Sequence, residues 1–137
     1  MTAAAIDRPG RGYRYFDTSP YWDGLESGRL VLQYCCDTGR FQHFPRPVSV
    51  YTGSRNLAWR EVSGSATLTA WTVARTVAPA GTQEPLVQAL VDLDERVRML
   101  VLLASVTHSD LRAGQRLRVR RDLMAERPRV PIFSLDR

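Results

Sequence analysis

Residues 35–54 read Cys-Cys-Asp-Thr-Gly-Arg-Phe-Gln-His-Phe-Pro-Arg-Pro-Val-Ser-Val-Tyr-Thr-Gly-Ser, and this stretch decides what fold the chain can form. It contains two short knuckles, residues 35–39 and 49–54, and each reaches a glycine where a zinc knuckle turns back. A zinc ribbon needs two ligands in each knuckle, because four ligands must converge on one ion. The ligand positions are here Cys35, Thr38, Ser49 and Thr52. Three of the four thiolates are absent, so we predict a degenerate ribbon without zinc.

Such a ribbon must fold without its metal, which contributes roughly 10 kcal/mol or more of apparent free energy in isolated finger peptides. Residues 29–34 alternate as a strand that leads into the first knuckle, and residues 41–44 are the predicted returning strand. We expect packing to replace the metal. The apolar side chains available for this are Phe41, Phe44, Val48, Val50 and Tyr51.

Cys36 and His43 are the other potential ligands in this region. Their spacing matches no common zinc motif and a site with two ligands binds weakly, so we favour a surface or packed histidine. A Cys/His nucleophilic pair is disfavoured because no orienting carboxylate or carboxamide can be assigned. The adjacent Cys35 and Cys36 would form only a strained disulfide. The sequence therefore predicts no metal, no structural disulfide and no catalytic residue here.

Several segments around the knuckles carry a family resemblance. They are residues 21–25 (Tyr-Trp-Asp-Gly-Leu), 28–33 (Gly-Arg-Leu-Val-Leu-Gln), 44–47 (Phe-Pro-Arg-Pro), 59–64 (Trp-Arg-Glu-Val-Ser-Gly), 90–95 (Leu-Val-Asp-Leu-Asp-Glu) and 110–114 (Asp-Leu-Arg-Ala-Gly). In order and spacing, over residues 18–135, the chain resembles the OB-fold acyl-CoA-associated proteins with an N-terminal rubredoxin-like zinc ribbon. Proteins of that family normally bind zinc through four cysteines, and this chain departs from the pattern at that site.

The resemblance implies a function as well as a fold. It implies an accessory subunit that binds a thiolase-like enzyme and supports its acyl-CoA reaction or acyl transfer, with no catalysis by the subunit alone. Acyl-CoA is the implied ligand, without a tightly bound cofactor. We expect Arg46 to contact the partner or a CoA phosphate, because Pro45 and Pro47 fix its backbone and leave the guanidinium preorganised.

The expected architecture is mainly β, in three parts. Residues 1–28 form an arm and a short helix, in which Ser19 caps, Pro20 fits the first turn and Gly28 ends the helix. In the arm, Tyr13, Tyr15 and Phe16 are expected to dock on the core or on a partner. The degenerate ribbon occupies residues 29–56 and an OB-fold domain residues 57–137.

Five predicted strands fill the OB-fold domain. They are residues 66–77, 86–93, 97–106, 117–123 and 130–135, with a Pro/Gly/Ala segment at 78–85 after the first. A short turn at residues 108–114 separates the third strand from the fourth, which is the order of an OB barrel. In that turn, His108 and Asp110 are interpreted as a capping arrangement rather than as catalytic groups.

Composition limits the function further. All 19 basic residues are arginine, and the net charge is +5. The absence of lysine excludes Schiff-base chemistry and a P-loop. No stretch is long and apolar enough to span a membrane and no signal peptide is evident, so the sequence predicts a cytoplasmic protein.

The run Arg116-Leu117-Arg118-Val119-Arg120-Arg121 is the densest basic feature, and it leaves an alternative function open. Its alternation is that of any half-buried strand with a solvated face. The alternative is a phosphate-binding stripe, either for nucleic acid or for the anionic nucleotide end of coenzyme A. OB folds that bind nucleic acid add aromatic platforms to the groove. The predicted barrel strands carry only Trp71 and Phe133. We therefore rank the accessory subunit first, the nucleic-acid-binding protein second and an independent enzyme last.

Overall fold

The computed structural model describes residues 18–75, 86–126 and 130–136, with only the backbone of Glu126. The arm at residues 1–17 and the segment at 78–85 lie outside this part of the chain. The elements, in chain order, are α1 (Ser19–Glu26), β1 (Val31–Cys35), β2 (Arg40–Gln42), β3 (Leu57–Glu61), β4 (Ser65–Ala74), β5 (Leu86–Leu93), β6 (Arg98–Leu103), a 3-10 turn (His108–Asp110), β7 (Arg116–Val119), α2 (Arg121–Glu126) and β8 (Ile132–Leu135).

Helix α1 carries the chain from the arm onto the core. It begins at Ser19 with Pro20 in its first turn, where proline loses no intrahelical hydrogen bond. The cap position is held by Thr18 rather than by the predicted Ser19, and Thr18 makes no side-chain capping bond. Tyr21 and Leu25 lie one turn apart and are both buried. The described part of the chain contains no helix with the length and apolarity to cross a membrane.

A three-stranded antiparallel sheet forms the ribbon, in the order β2-β1-β3. Strand β3 begins at Leu57, where the sequence predicts that the OB-fold domain starts. All of β3 nevertheless pairs with β1 of the ribbon, from Val31 opposite Glu61 to Cys35 opposite Leu57. The boundary itself stays a prediction. We use "ribbon" below for residues 29–61, which include this sheet and both knuckles.

Strands β4 to β8 close into a barrel in the order β4-β5-β6-β8-β7. All neighbours are antiparallel except β6 and β8, which run parallel. Its centre is filled by fully buried side chains, among them Leu68, Met99, Leu117 and Phe133. A β-bulge in β4 between Leu68 and Ala70 bends this long strand. These features confirm the predicted mainly β fold with a five-stranded OB barrel.

Two predicted strands end earlier than the sequence suggests. The fourth was predicted over residues 117–123, but β7 ends at Val119 and α2 follows. Leu123 is half-buried and Met124 is fully buried, and adjacent side chains of a strand cannot both face the core, whereas those of a helix can. The third was predicted to residue 106 but ends at Leu103, and Ser105 then adopts a φ of 58°, which a strand cannot hold.

Candidate functional site

The former ligand positions form a hydrogen-bonded group inside the ribbon. The buried Ser49 hydroxyl donates to the buried Cys35 thiol over 3.1 Å. The backbone N–H groups of Tyr51 and Thr52 donate in turn to the Ser49 hydroxyl oxygen, at 3.1 and 3.3 Å. Hydrogen bonds from Ser49 and then from Thr38 lower the pKa of the Cys35 thiol, and burial opposes this shift. The contact between Ser49 and Cys35 thus links the two knuckles directly.

Asp37 links the knuckles a second time, on the outside. Its carboxylate accepts hydrogen bonds from the Ser54 hydroxyl at 2.5 Å, the Asn56 amide at 2.8 Å and the Thr52 hydroxyl at 3.4 Å. These donors, Ser54 first, hold the pKa of Asp37 below its usual value. Thr52, the fourth ligand position, is therefore engaged with Asp37. The glycines that close the knuckles, Gly39 and Gly53, both have the positive φ that such turns need.

These residues do not fit a zinc ion. Structural zinc sites in ribbons use thiolates and imidazoles, and three of the four positions here carry hydroxyls that are neutral at physiological pH. Among residues 18–75, 86–126 and 130–136, no group of three or more His, Cys, Asp or Glu side chains lies close enough to hold a metal. The hydroxyl of Ser49 is directed at the thiol of Cys35, with which it would have to share the ion.

We expect the purified protein to contain far less than one zinc per chain. Elemental analysis after gel filtration measures this. The triple variant Thr38→Cys, Ser49→Cys and Thr52→Cys restores four thiols at the ligand positions and serves as the control, which should retain zinc. A value near one zinc per chain in the unmodified protein, surviving a chelator wash, contradicts the prediction.

A buried pair of glutamines holds the loop that leads from β2 to the second knuckle. Gln33 and Gln42 face each other across β1 and β2, are only 4% and 3% exposed, and share a 2.8 Å hydrogen bond. The Gln33 amide donates to the carbonyl of Arg46 at 2.9 Å and its oxygen accepts from the N–H of Arg46 at 2.7 Å. The Gln42 amide likewise donates to the carbonyl of Val48 at 3.2 Å, and its oxygen accepts from the N–H of Val50 at 2.8 Å. We did not single out either glutamine from the sequence.

The loop held by these glutamines presents apolar side chains to solvent. Phe44 is 66% exposed and Val50 is 56% exposed, so the prediction that they pack the ribbon is wrong. Polar contacts replace them: Tyr51 donates from its hydroxyl to the carbonyl of Phe41 at 2.6 Å, beside the glutamine bonds. Arg46 lies between Phe44 and Val50 and is exposed, with its backbone fixed by Gln33. Phe44, Arg46 and Val50 are named the presented loop below.

His43 lies at the base of this loop in an aromatic setting. Its ring centroid is 5.2 Å from that of Tyr21 and 4.4 Å from that of Phe44. Its Nδ1 is buried and has no hydrogen-bond partner among the described residues, and burial lowers the pKa of His43 to about 4. Cys36, by contrast, is exposed. His43 therefore packs against aromatic side chains at the edge of the core, as one of the two favoured interpretations, a surface or a packed histidine, predicts.

Acidification should destabilise the protein through His43. Its folded pKa is about 4 and the unfolded value is 6.5, so the unfolded chain binds the proton first as the pH falls. The contribution of neutral His43 to the free energy of unfolding is present above pH 6.5. It is lost progressively as the pH falls towards about 4, by up to about 3 kcal/mol. Urea unfolding across this range measures the loss, which His43→Phe should largely remove. His108→Phe, at the exposed second histidine, should keep it; an unchanged pH slope in His43→Phe contradicts the prediction.

The basic stripe of the barrel is neutralised by acidic partners. Arg116 pairs with Asp94 at 2.8 Å, and Arg120 with Asp122 at 2.9 Å. Arg118 lies 3.6 Å from Asp136. The alternating arginines predicted to face outward do so, but each meets a carboxylate from another position in the chain. The stripe therefore offers little uncompensated charge for a polyanion.

The predicted capping arrangement at residues 108–110 involves a different pair. The carboxylate of Asp110 accepts hydrogen bonds from the Thr107 hydroxyl at 2.7 Å and from its backbone N–H at 3.4 Å. This is the capping box of the 3-10 turn. His108 is exposed at the start of the turn. The capping pair of this turn is therefore Thr107 and Asp110, without His108.

Two family profiles match the two parts of the chain described above. The profile of the ChsH2 rubredoxin-like zinc ribbon domain matches residues 22–48, and that of the ChsH2 C-terminal OB-fold domain matches residues 59–122. The chain belongs to the ChsH2/DUF35 family. Within the ChsH2/DUF35 ribbon, this member retains Cys35 and carries hydroxyls at the other three knuckle positions.

Two relatives of this ChsH2/DUF35 protein indicate the range of the family. A DUF35 domain-containing scaffold protein from Pyrococcus furiosus is 29% identical over 98 residues, which are 70% of this chain and 71% of the relative. The 3-oxo-4,17-pregnadiene-20-carboxyl-CoA hydratase alpha subunit of Mycobacterium tuberculosis is 34% identical over 84 residues. That match covers 61% of this chain, but it spans only 27% of the hydratase subunit.

Two solved structures share the fold. A chain of the Ltp2-ChsH2(DUF35) aldolase superposes with a TM-score of 0.70 at 23% identity, over 85% of this chain and 92% of its own length. A DUF35-family protein of unknown function from Sulfolobus solfataricus superposes with a TM-score of 0.62 at 14% identity, over 94% and 93% of the two chains. At these identities the likeness supports the fold.

Proposed function

We propose that this chain is an accessory subunit that binds a thiolase-like enzyme and supports its acyl-CoA reaction or acyl transfer, without catalysing a reaction alone. Its family membership supports this role, since one relative is named a scaffold protein and a structural relative is a chain of an aldolase assembly. In this proposal the partner supplies the catalytic groups. The subunit supplies a rigid surface.

The presented loop is the observation that carries the proposal. Phe44 and Val50 are large apolar side chains, and they are exposed on a loop whose backbone is fixed at Arg46 and Val50 by buried glutamines. Burying such groups in an interface is favourable, and a fixed loop loses little conformational entropy when it binds. Phenylalanine and arginine, represented here by Phe44 and Arg46, are also enriched in protein interfaces.

Acyl-CoA enters the proposal as the substrate of the complex. Arg46 is the residue of this chain that we assign to it or to the partner, because its guanidinium can grip a phosphate or a carboxylate in a bidentate manner. Its backbone makes both hydrogen bonds to Gln33, which leaves the side chain as the group that faces solvent. The alternative function, nucleic-acid binding, is disfavoured because the arginines of the barrel stripe are paired with aspartates.

Co-expression with a thiolase-like protein from the same source tests the proposal. We expect the two proteins to co-elute in gel filtration at micromolar concentration. Arg46→Ala should weaken the complex or its acyl-CoA turnover about tenfold, as expected for an interface arginine. Arg118→Ala, at an exposed arginine of the barrel, is the matched control and should change neither. Separate elution, together with full activity of the enzyme alone, contradicts an accessory role.

A further inference from the structure

The positive charge of the chain is divided unevenly between its two parts. The ribbon, residues 29–61, contains five arginines against Asp37 and Glu61, a formal charge of +3. The described barrel residues, 62–75, 86–126 and 130–136, contain eight arginines against seven acidic residues. The ribbon is about half as long, 33 residues against 62, yet it carries +3 against +1, so its density of net positive charge is the higher one.

Pairing makes this contrast larger. In the barrel, five arginines have a carboxylate within ion-pair distance: Arg98, Arg116, Arg118, Arg120 and Arg121. One of these carboxylates is Glu61 of the ribbon, whose oxygen lies 2.7 Å from a guanidinium nitrogen of Arg121. This acidic group of the ribbon therefore pairs with an arginine outside the ribbon. Asp37 is engaged by three uncharged donors in the knuckles. Within the part of the chain that the structure describes, the ribbon arginines make no ion pair.

Two of the five ribbon arginines are held in place without being neutralised. Arg60 lies over the Tyr34 ring at 3.8 Å, and Arg40 lies over the Tyr51 ring at 4.1 Å. A cation–π contact orients a guanidinium but leaves its charge available. Arg46 and Arg55 are exposed, the first in the presented loop and the second directly after the second knuckle. The ribbon therefore carries exposed positive charge without an ion-pair partner among the described residues, and it is ordered at Arg40 and Arg60.

We infer that the ribbon is the docking surface of this chain and that it binds an acidic surface of a partner protein. The inference rests on the proposed accessory function and specifies the chemistry of the contact. Phe44 and Val50 supply apolar anchors beside Arg46, a combination typical of protein interfaces. A single-stranded nucleic acid would need several aromatic platforms. Phe44 is the one large aromatic side chain that is exposed among the described residues.

Paired charge reversals in the co-expressed complex test the inference. The double variant Arg46→Glu with Arg55→Glu changes two exposed ribbon arginines that stack on no aromatic ring of residues 18–75, 86–126 and 130–136. The control, Arg75→Glu with Arg112→Glu, makes the same change of net charge at two exposed arginines outside the ribbon. In 50 mM salt we expect the ribbon variant to weaken the complex about 100-fold and the control variant to change it by less than about threefold. The difference should shrink in 1 M salt, because salt screens exposed charges.

The outcomes separate this inference from the accessory function. Equal losses in both double variants, or no loss in the ribbon variant, overturn the ribbon as a docking surface while the complex itself stands. If the unmodified chain forms no complex, the accessory function fails and the inference fails with it. Binding of a 20-nucleotide single-stranded DNA or of free coenzyme A at 150 mM salt, lost in the ribbon variant, overturns the assignment to an acidic protein surface. Circular dichroism of both variants confirms that they fold.

Discussion

Gln42→Met is expected to destabilise the protein by about 3 kcal/mol. Gln42 is 3% exposed, and its amide bonds to the oxygen of Gln33, the carbonyl of Val48 and the N–H of Val50. Methionine has a similar volume, so the loss does not come from a cavity. It comes from backbone groups of the loop that are left without a partner, which costs about 1–3 kcal/mol each when they are buried. Urea unfolding monitored by circular dichroism measures the change.

Gln88→Met is the matched control for this prediction. Gln88 is half-buried on β5, and its side chain makes no hydrogen bond with the described residues. The same substitution there should change the free energy of unfolding by less than about 0.5 kcal/mol. A Gln42→Met protein as stable as the control would contradict the assigned role. Combining Gln42→Met with Gln33→Met should give less than the sum of the two losses, because the two side chains bond to each other and that bond is lost only once.

The second large effect is expected at Gly64, where the chain enters the barrel. Its φ is +82°, and a Cβ at this position would lie 2.3 Å from Cγ1 of Val119. The Gly64 carbonyl also accepts a 2.8 Å hydrogen bond from the N–H of Val119, so the two backbones cannot separate freely. The positive φ costs an alanine about 1–2 kcal/mol, and the overlap adds about 1–3 kcal/mol. Gly64→Ala should therefore lose about 3 kcal/mol in urea unfolding.

A second glycine separates the two causes. Gly53 has a similar φ of +74°, but a Cβ there would meet nothing within 4 Å. Gly53→Ala should show only the conformational cost, about 1 kcal/mol. Adding Val119→Ala to Gly64→Ala should recover part of the loss, since it removes the atom that overlaps. Equal destabilisation by the two glycine substitutions would show that contact with Val119 is unimportant.

The Gln42 prediction bears on how the ribbon remains folded with one thiol instead of four at the ligand positions of its knuckles. Hydrogen bonds join the same segments that a metal would join: Ser49 bonds to Cys35, and Asp37 bonds to Ser54 and Asn56. The glutamine pair adds a third link between the sheet and the loop. Each such bond contributes about 1 kcal/mol net, so no single one equals a structural zinc. Their sum and the attachment of β3 to β1 support the ribbon together.

The sequence alone was most informative where the signal is local. Alternation with period two locates all five barrel strands, because a strand with one face on the core must place apolar residues at every second position. It fails after Val119, because the adjacent apolar residues Leu123 and Met124 are compatible with either a strand or a helix. Burial of Met124 against the barrel decides in favour of α2. The strand end at Val119 was missed for this reason. The end at Leu103 was missed because the sequence pattern does not indicate the positive φ of Ser105.

What the sequence determined by itself is the identity of the groups at the knuckles, and with it the departure from a four-cysteine site, together with the order of the barrel strands and the family resemblance. Only the tertiary structure decided that Gln33 and Gln42 meet, that Phe44 and Val50 face solvent, and that Arg116 is paired with Asp94 while the ribbon arginines are not. These are properties of contacts between segments that are distant in sequence. Strand register and packing set such contacts, and no local pattern of residues encodes them.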